Sequence, residues 1–350
     1  MYYNEGNKMN IPVAVNYFLG GFALEKIVII FTGGTISMKN DPNLNAAIPS
    51  LSGNDILKMV PNIKEIAQIE IIQFGNFPSP YFTPELLINL RREVENVIMK
   101  QQVKGVVITH GTDTIEETAY FLDLTINSEK PIVLTGAMKN SSEVGYDGPS
   151  NLIASVITAS SEKAKNKGVL VVFNNEIHAA RDVTKTHTSS IDTFKSLETG
   201  PIGVVDNNRA YFYRNIEARD YIPVDHLEPR VSLLKVAFGM DDKIIRFLVD
   251  SGEKGIVIEG TGRGNVPPKL AEGIEYAISK GVIVVLVSRC PMGRVDASYG
   301  YKGGGKHLES LGVIFGGNLS GQKARIKLMA ALAYSNNYNE IKKLFKEERT

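Results

Sequence analysis

Short uninterrupted apolar runs recur along this chain, and between them apolar residues return every three or four positions. Residues 26–32 (KIVIIFT), 69–74 (IEIIQF), 105–109 (GVVIT), 131–136 (PIVLTG) and 168–174 (GVLVVFN) lack polar alternation. That is the pattern of parallel strands covered on both faces. In residues 82–100 (FTPELLINLRREVENVIMK), Thr83 is placed to cap a helix and Pro84 to open it. Leu86, Leu87, Leu90, Val94 and Val97 then share one face. Residues 148–168 (GPSNLIASVITASSEKAKNKG) read as another helix, closed by Lys and Gly.

A second set follows, with strands expected at 255–260 (GIVIEG), 281–288 (GVIVVLVS) and 311–317 (LGVIFGG) and helices over 267–281 and 321–335. Strands alternating with helices predict an α/β protein. We expect an N-terminal doubly wound, mainly parallel sheet with helices on both faces, plus a smaller C-terminal α/β domain. The large domain is expected over 26–215, a linker over 216–240 with room for an exposed strand or hairpin, and the small domain over 241–350. Residues 1–25 are expected to be a leader or loosely packed extension. Their apolar stretch 11–24 (IPVAVNYFLGGFAL) is too short to span a bilayer and has no clear small-x-small cleavage site. A cytoplasmic location is therefore expected, with export by an atypical N-terminal signal as the alternative.

Composition narrows the field. The 350 residues carry 39 basic and 38 acidic side chains, a net charge of +1. Such balance offers no field for a phosphate backbone, so nucleic acid is not an expected partner, and the ordinary globular composition, 43% hydrophobic and 22% charged, gives no expectation of a membrane. Cys290 is the only cysteine, which rules out an intrachain disulfide and a cysteine-rich metal site. Its strand-like flanks predict a buried, inert thiol. The five histidines, 110, 178, 187, 226 and 307, show no H-E-x-x-H spacing, and G-x-G-x-x-G, GK[ST] and G-x-S-x-G are all missing. No catalytic metal and no cofactor are expected. His110 and His178 are expected to be hydrogen-bonded turn residues.

In doubly wound sheets the loops leaving the C-terminal ends of strands line the ligand crevice. The first such loop is FTGGTIS, where Gly33 and Gly34 permit a tight turn and close backbone approach. Thr35 in it either satisfies its own turn or presents a hydroxyl to a ligand. The third is HGTDTIEETAYFL, residues 110–122. Thr112, Asp113 and Thr114 can each cap a helix, and Thr114 with Glu117 fits a capping box. That accounts for one hydroxyl, not for two hydroxyls and a carboxylate behind a glycine. Thr112 is placed like a reactive or ligand-holding group, and Asp113 suits a substrate ammonium. After the fifth strand, Lys185 lies among hydroxyls near Arg181 and Asp182. It is either solvated or drawn into the crevice as a base for a threonine.

Taken together, TGGTI (32–36), HGTDTIEETAYFLDLT (110–125) and RDVTKT (181–186) resemble the bacterial-type L-asparaginase/glutaminase family. AMKNSSEVGYDGPSNL, GTGRGNVP and GNLSGQKARI fit it as well, and the likeness runs from about residue 25 to the C-terminus. The resemblance implies active sites at a close interface of a homodimer, usually within a homotetramer. It implies that Thr35 is the primary nucleophile and that Thr112, Asp113 and Lys185 form the second catalytic group. Ser79 would hold the α-carboxylate of L-asparagine and Asp113 its α-ammonium. Gly34 would contact substrate, and Asn265 would come from the neighbouring subunit. L-Glutamine would be a weaker second substrate. The chain departs from the family pattern in lacking a tyrosine on the loop beyond Thr35, which is expected to act as a lid with Asn43, Asn45, Pro49 and Gly53. Tyr81, Tyr299 or Tyr301 would have to replace it, or Lys185 and water would suffice. Pro80 follows Ser79 where Gln or Ser is usual, and the partner-subunit glutamate has no secure match.

The resemblance leaves a glutamine-preferring amidohydrolase as one alternative, and two further readings beside it. One is the archaeal tRNA-dependent amidotransferase subunit of the same fold, which normally carries an added N-terminal domain that this chain is expected to lack. The other is an amino-acid-binding regulatory protein of weak catalysis, against which the intact Thr35, Thr112, Asp113 and Lys185 count.

Overall fold

The computed structural model describes residues 26–216 and 219–346, so the expected leader over 1–25 lies outside the described residues. The described residues begin with β1 (Lys26–Gly33) and a 3₁₀ turn over Thr35–Ser37, then a hairpin of β2 (Met38–Asp41) and β3 (Ala46–Pro49). After α1 (Gly53–Lys58) come β4 (Gln68–Phe77), α2 (Pro84–Ile98), β5 (Val103–Thr109) and α3 (Ile115–Thr125). Next are β6 (Ile132–Thr135), α4 (Gly148–Ser160) and β7 (Val169–Phe173). Five short strands follow: β8 (Glu176–Ala179), β9 (Thr184–Lys185), β10 (Phe194–Lys195), β11 (Gly203–Asp206) and β12 (Arg209–Phe212).

The large sheet has eight strands in the order β12-β11-β8-β7-β6-β5-β1-β4. The block from β4 to β7 is parallel, whereas β8, β11 and β12 add antiparallel strands at one edge. Two Asn-Asn turns build that edge: Asn174 and Asn175 have φ of 47° and 64°, and Asn207 and Asn208 have φ of 45° and 59°. Asparagine tolerates the left-handed region that two-residue hairpin turns require. The alternation of β1 shows why its run is apolar throughout. Val28 and Ile30 pack with Leu90, Val94 and Val97 of α2 on one face, while Ile27, Ile29 and Phe31 pack with Ile56 of α1 and Val156 of α4 on the other. Each fully buried aliphatic side chain of this kind contributes about 1.5–3 kcal/mol. The Thr83 hydroxyl accepts from Leu86 N–H at 3.3 Å, as expected of a cap ahead of Pro84. The helix expected over 148–168 is shorter, because the chain leaves α4 at Ser160 and makes a 3₁₀ turn over Glu162–Ala164.

The second sheet begins with β13 (Val231–Lys235), inside the stretch 216–240, and continues through α5 (Lys243–Asp250), β14 (Gly255–Gly260) and α6 (Pro268–Ser279). It is completed by β15 (Ile283–Ser288), α7 (Gly305–Leu311) and β16 (Ile314–Phe315), before α8 (Gly321–Tyr334) and α9 (Tyr338–Leu344). Its four strands run parallel in sequence order. Ala119 and Leu122 of α3 share a core with Ala324 and Leu328 of α8, so the two sheets are joined through a helix pair.

Cys290 departs from the sequence expectation: it is exposed, not buried. The strand stops at Ser288, whose hydroxyl accepts from Cys290 N–H at 3.0 Å as the chain turns outward.

Candidate active site

β1 pairs with β4 on one side and β5 on the other, so the chain order reverses across β1. The loops leaving β1, β4 and β5 therefore open at one end of the sheet, at the kind of switch point where α/β sheets bind ligands. These loops carry Thr35, Ser79 and Thr112.

Backbone glycines set how closely the loops meet. Gly33 and Gly34 have φ of +113° and +85°, conformations that L side chains rarely adopt. A Cβ on Gly34 would stand 2.4 Å from the backbone of Gly111, and one on Gly111 would stand 2.7 Å from the Ser79 Cβ. The Thr35 turn is thus flush against the residue before Thr112, which is flush against Ser79. Gly34 N–H donates to Phe77 O at 3.1 Å, and the Thr32 hydroxyl donates to Thr109 O at 2.8 Å, tying the turn to the ends of β4 and β5. Thr35 is half-buried, while Ser79 and Thr112 are buried.

Lys185 reaches the same place from the β9–β10 hairpin. Its Nζ donates to Thr112 Oγ1 at 3.0 Å and to Asp113 Oδ1 at 2.7 Å. The Lys185 side chain is 14% exposed and that of Asp113 65%, so the ion pair sits at the mouth of the crevice, where it contributes little stability but orients both groups. The expected capping box does not form. The Thr114 hydroxyl makes no cap bond and donates instead to Ser79 O at 3.0 Å, so it serves the site and not the helix. His110 is a buried turn residue, with Nδ1 2.8 Å from Gly111 O and Nε2 3.0 Å from the Thr118 hydroxyl. Burial pulls its pKa down to about 4. His178 is also buried but is not a turn residue as expected: it lies within β8 opposite Val171, with Nδ1 3.0 Å from the hydroxyl of Ser196, the residue after β10.

Other residues of the site were not singled out in the sequence, although Tyr146 lies in the stretch AMKNSSEVGYDGPSNL and Ser37 in FTGGTIS. The Tyr146 hydroxyl donates to Ile36 O at 2.7 Å, and the Ser37 hydroxyl donates to Asn76 Oδ1 at 2.7 Å, so both flank the Thr35 turn. Of the tyrosines proposed as lid substitutes, Tyr81 is 69% exposed, and Tyr299 and Tyr301 lie against each other in the small domain with ring centroids 5.7 Å apart. Among the described residues the tyrosine bonded to the Thr35 turn is Tyr146, and its bond is to the backbone. The loop expected to be a lid is the β2–β3 hairpin, with Asn45 at φ 48°. Its base is anchored: Ser141 N–H donates to Met38 O at 3.2 Å and Asn40 N–H to the Ser142 hydroxyl at 3.1 Å.

Asn265 stands apart, after β14 in the small domain, where its N–H donates to Thr261 O at 2.9 Å. Its side-chain Oδ1 is buried with no hydrogen-bond partner among the described residues. Nothing within the chain bonds it to Thr35, Ser79 or Thr112 among the described contacts.

A family model described as "Asparaginase, N-terminal" matches residues 26–218, and one described as "Glutaminase/Asparaginase C-terminal domain" matches residues 230–345. The L-asparaginase of Bacillus licheniformis is 38% identical over 309 residues, a span of 88% of this chain and 96% of that one. A glutamyl-tRNA(Gln) amidotransferase component from Pyrococcus abyssi is 36% identical over 334 residues, covering 92% of this chain and 75% of that one. The crystal structure of a probable cytoplasmic L-asparaginase from Campylobacter jejuni superposes with a TM-score of 0.83 at 35% identity, covering 92% of this chain and 99% of that chain.

Proposed function

The chain belongs to the asparaginase/glutaminase family, and from that premise we propose that it hydrolyses the side-chain amide of L-asparagine to L-aspartate and ammonia. The observation that carries this reading is the Lys185 ammonium held on Thr112 Oγ1 and Asp113 Oδ1, next to the glycine contact that seats Thr35.

In the proposed reaction the Thr35 Oγ attacks the amide carbonyl carbon and its proton is transferred to the departing nitrogen. The C–N bond breaks, ammonia leaves, and a β-aspartyl ester forms on Thr35. Water then attacks the ester carbonyl, the Thr35 Oγ takes back a proton, and aspartate is released. Thr112 and Lys185 orient and activate that water. Backbone N–H groups of the glycine turn and of the Thr112 region are the donors proposed for the oxyanion, being fixed before substrate arrives. Ser79 receives the α-carboxylate and Asp113 the α-ammonium, which fixes the amide relative to Thr35. Asn265 is assigned to the site of a neighbouring subunit, so a homodimer or homotetramer is the active form. Its Oδ1, buried without a hydrogen-bond partner among the described residues, supports that assignment, because a buried acceptor left unpaired costs about 1–3 kcal/mol.

Asparagine is the preferred substrate and glutamine a poorer one. We place the reaction in the cytoplasm; among the described residues no helix is long and apolar enough to cross a membrane. The deciding experiment is ammonia release from L-asparagine by the purified chain. Turnover carries the proposal, and an inert protein sinks it. Ammonia release that requires a second, different chain and glutamine points instead to the amidotransferase reading, which the Pyrococcus relative keeps in view.

A further inference from the structure

Lys323 is on the first turn of α8, in the C-terminal domain, and is only 2% exposed. A buried ammonium costs several kcal/mol unless its protons are taken up, and an apolar side chain of similar volume packs there more cheaply. Its partners are specific. The Nζ donates to Arg181 O at 2.9 Å and to Val183 O, the backbone just ahead of Lys185. The Glu116 carboxylate lies between the two lysines: Oε2 is 3.9 Å from the Lys323 Nζ, and Oε1 accepts from Lys185 N–H at 3.5 Å. One buried cation therefore holds both the backbone leading into the strand that carries Lys185 and the carboxylate against which that strand rests.

We propose that Lys323 is a positioning residue for the amide hydrolysis, holding the backbone of residues 181–185 so that the Lys185 Nζ meets the Thr112 hydroxyl. The small domain thereby sets the reach of a lysine in the large one. Lys185 occupies a strand only two residues long, paired with Phe194 and Lys195 and continued only by the turn bond from Thr186 N–H to Thr193 O at 2.9 Å. Such a strand has little register of its own. Burial pulls the Lys323 pKa down to about 8 against the opposing pull of Glu116 and Asp182, consistent with a charge kept in the core for the contacts it makes.

The activity readout rests on the asparaginase reading, and the geometric readout does not. Lys323→Met, checked for fold by circular dichroism, should lower kcat by about 10- to 100-fold, the loss that accompanies a misplacement on the order of 1 Å, with a much smaller change in KM. Its crystal structure should show the Lys185 Nζ to Thr112 Oγ1 distance opened beyond hydrogen-bonding range from the present 3.0 Å. A folded Lys323→Met protein with wild-type kcat, or with that distance unchanged, overturns the proposal. Should Lys323→Met not fold, Lys323→Arg decides by the same two measurements. Retained kcat and contact support donation to the two carbonyls, and a folded protein that has lost kcat or the contact overturns it. A wild-type protein that releases no ammonia defeats the functional reading alone, leaving the distance in the variant to judge the positioning role.

Discussion

Lys185 Nζ and Thr112 Oγ1 stand 3.0 Å apart although 73 positions separate them along the chain. The same ammonium is 2.7 Å from Asp113 Oδ1, so three groups from two distant loops form one contact set. Lys185→Met keeps the apolar stem and removes the charge and the donors. We expect the fold to survive, since an ion pair with a 65% exposed carboxylate adds little to stability. Turnover of asparagine should drop by several orders of magnitude. Thermal unfolding and ammonia release on the same preparation check both halves, and a nearly active variant would remove Lys185 from the chemistry.

Thr35→Ala should fold normally and lose turnover almost completely. The Thr35 turn is held by Gly34 N–H on Phe77 O and by the Tyr146 hydroxyl on Ile36 O, neither of which uses the threonine side chain. Loss of a nucleophile removes several orders of magnitude in rate. Activity above about a tenth of wild type would mean that a different group attacks the amide.

Stability should weaken on mild acidification, with His110 as one cause. Burial holds its native pKa at about 4, below the ordinary value of 6.5. Between those values the unfolded chain binds a proton that the native state does not. Stability therefore rises with pH through this window and is lost as pH falls from about 6.5 towards 4. The full effect of this one group is on the order of 3 kcal/mol. Urea unfolding of wild type and His110→Gln across that window isolates it. The difference between the two proteins should shrink towards acid pH, and a pH-independent difference would contradict a neutral buried imidazole.

Light scattering at low micromolar concentration should return the mass of a dimer or tetramer. Asn265 lies in the small domain, with no bond to Thr35, Ser79 or Thr112 among the described contacts. If it serves the site, it does so in another copy of the chain. An active monomer would refute this assignment.

Asparagine should exceed glutamine in kcat/KM, with glutamine still measurable. One methylene changes recognition by about 1–3 kcal/mol in an apolar pocket. A substrate clamped at its α-carboxylate and α-ammonium also has its reacting carbonyl displaced by that methylene, and a small misplacement costs about 100-fold. Equal values, or a glutamine preference, would reverse the substrate order without touching the threonine chemistry.

The elements and chemical groups of this protein were legible in its sequence wherever the signal is local. Apolar runs without alternation marked β1, β5, β6, β7, β14 and β15, since both faces of those strands are covered. Thr83 with Pro84 marked the start of α2 because a cap and a fixed φ act within one turn. Residues 32–36, 110–125 and 181–186 displayed their hydroxyls, carboxylate and lysine openly. What the tertiary structure alone decided depends on pairing between distant segments. Placing β1 between β4 and β5 is what brings Thr35, Ser79 and Thr112 to one crevice. Thr114 had every local mark of a cap, yet its hydroxyl turned to Ser79 O, 35 residues away, because the packed loops put that carbonyl within reach. Cys290 lay in an apolar context but past the last paired residue of β15, and burial follows the sheet's end and not the run's. Lys323 was not singled out in the sequence, and only the docking of α8 on α3 buries it against Glu116 and the backbone before Lys185. Periodicity reports which face of an element is apolar; which partner meets that face is settled by loop closure and packing, and these are not written in any local stretch of sequence.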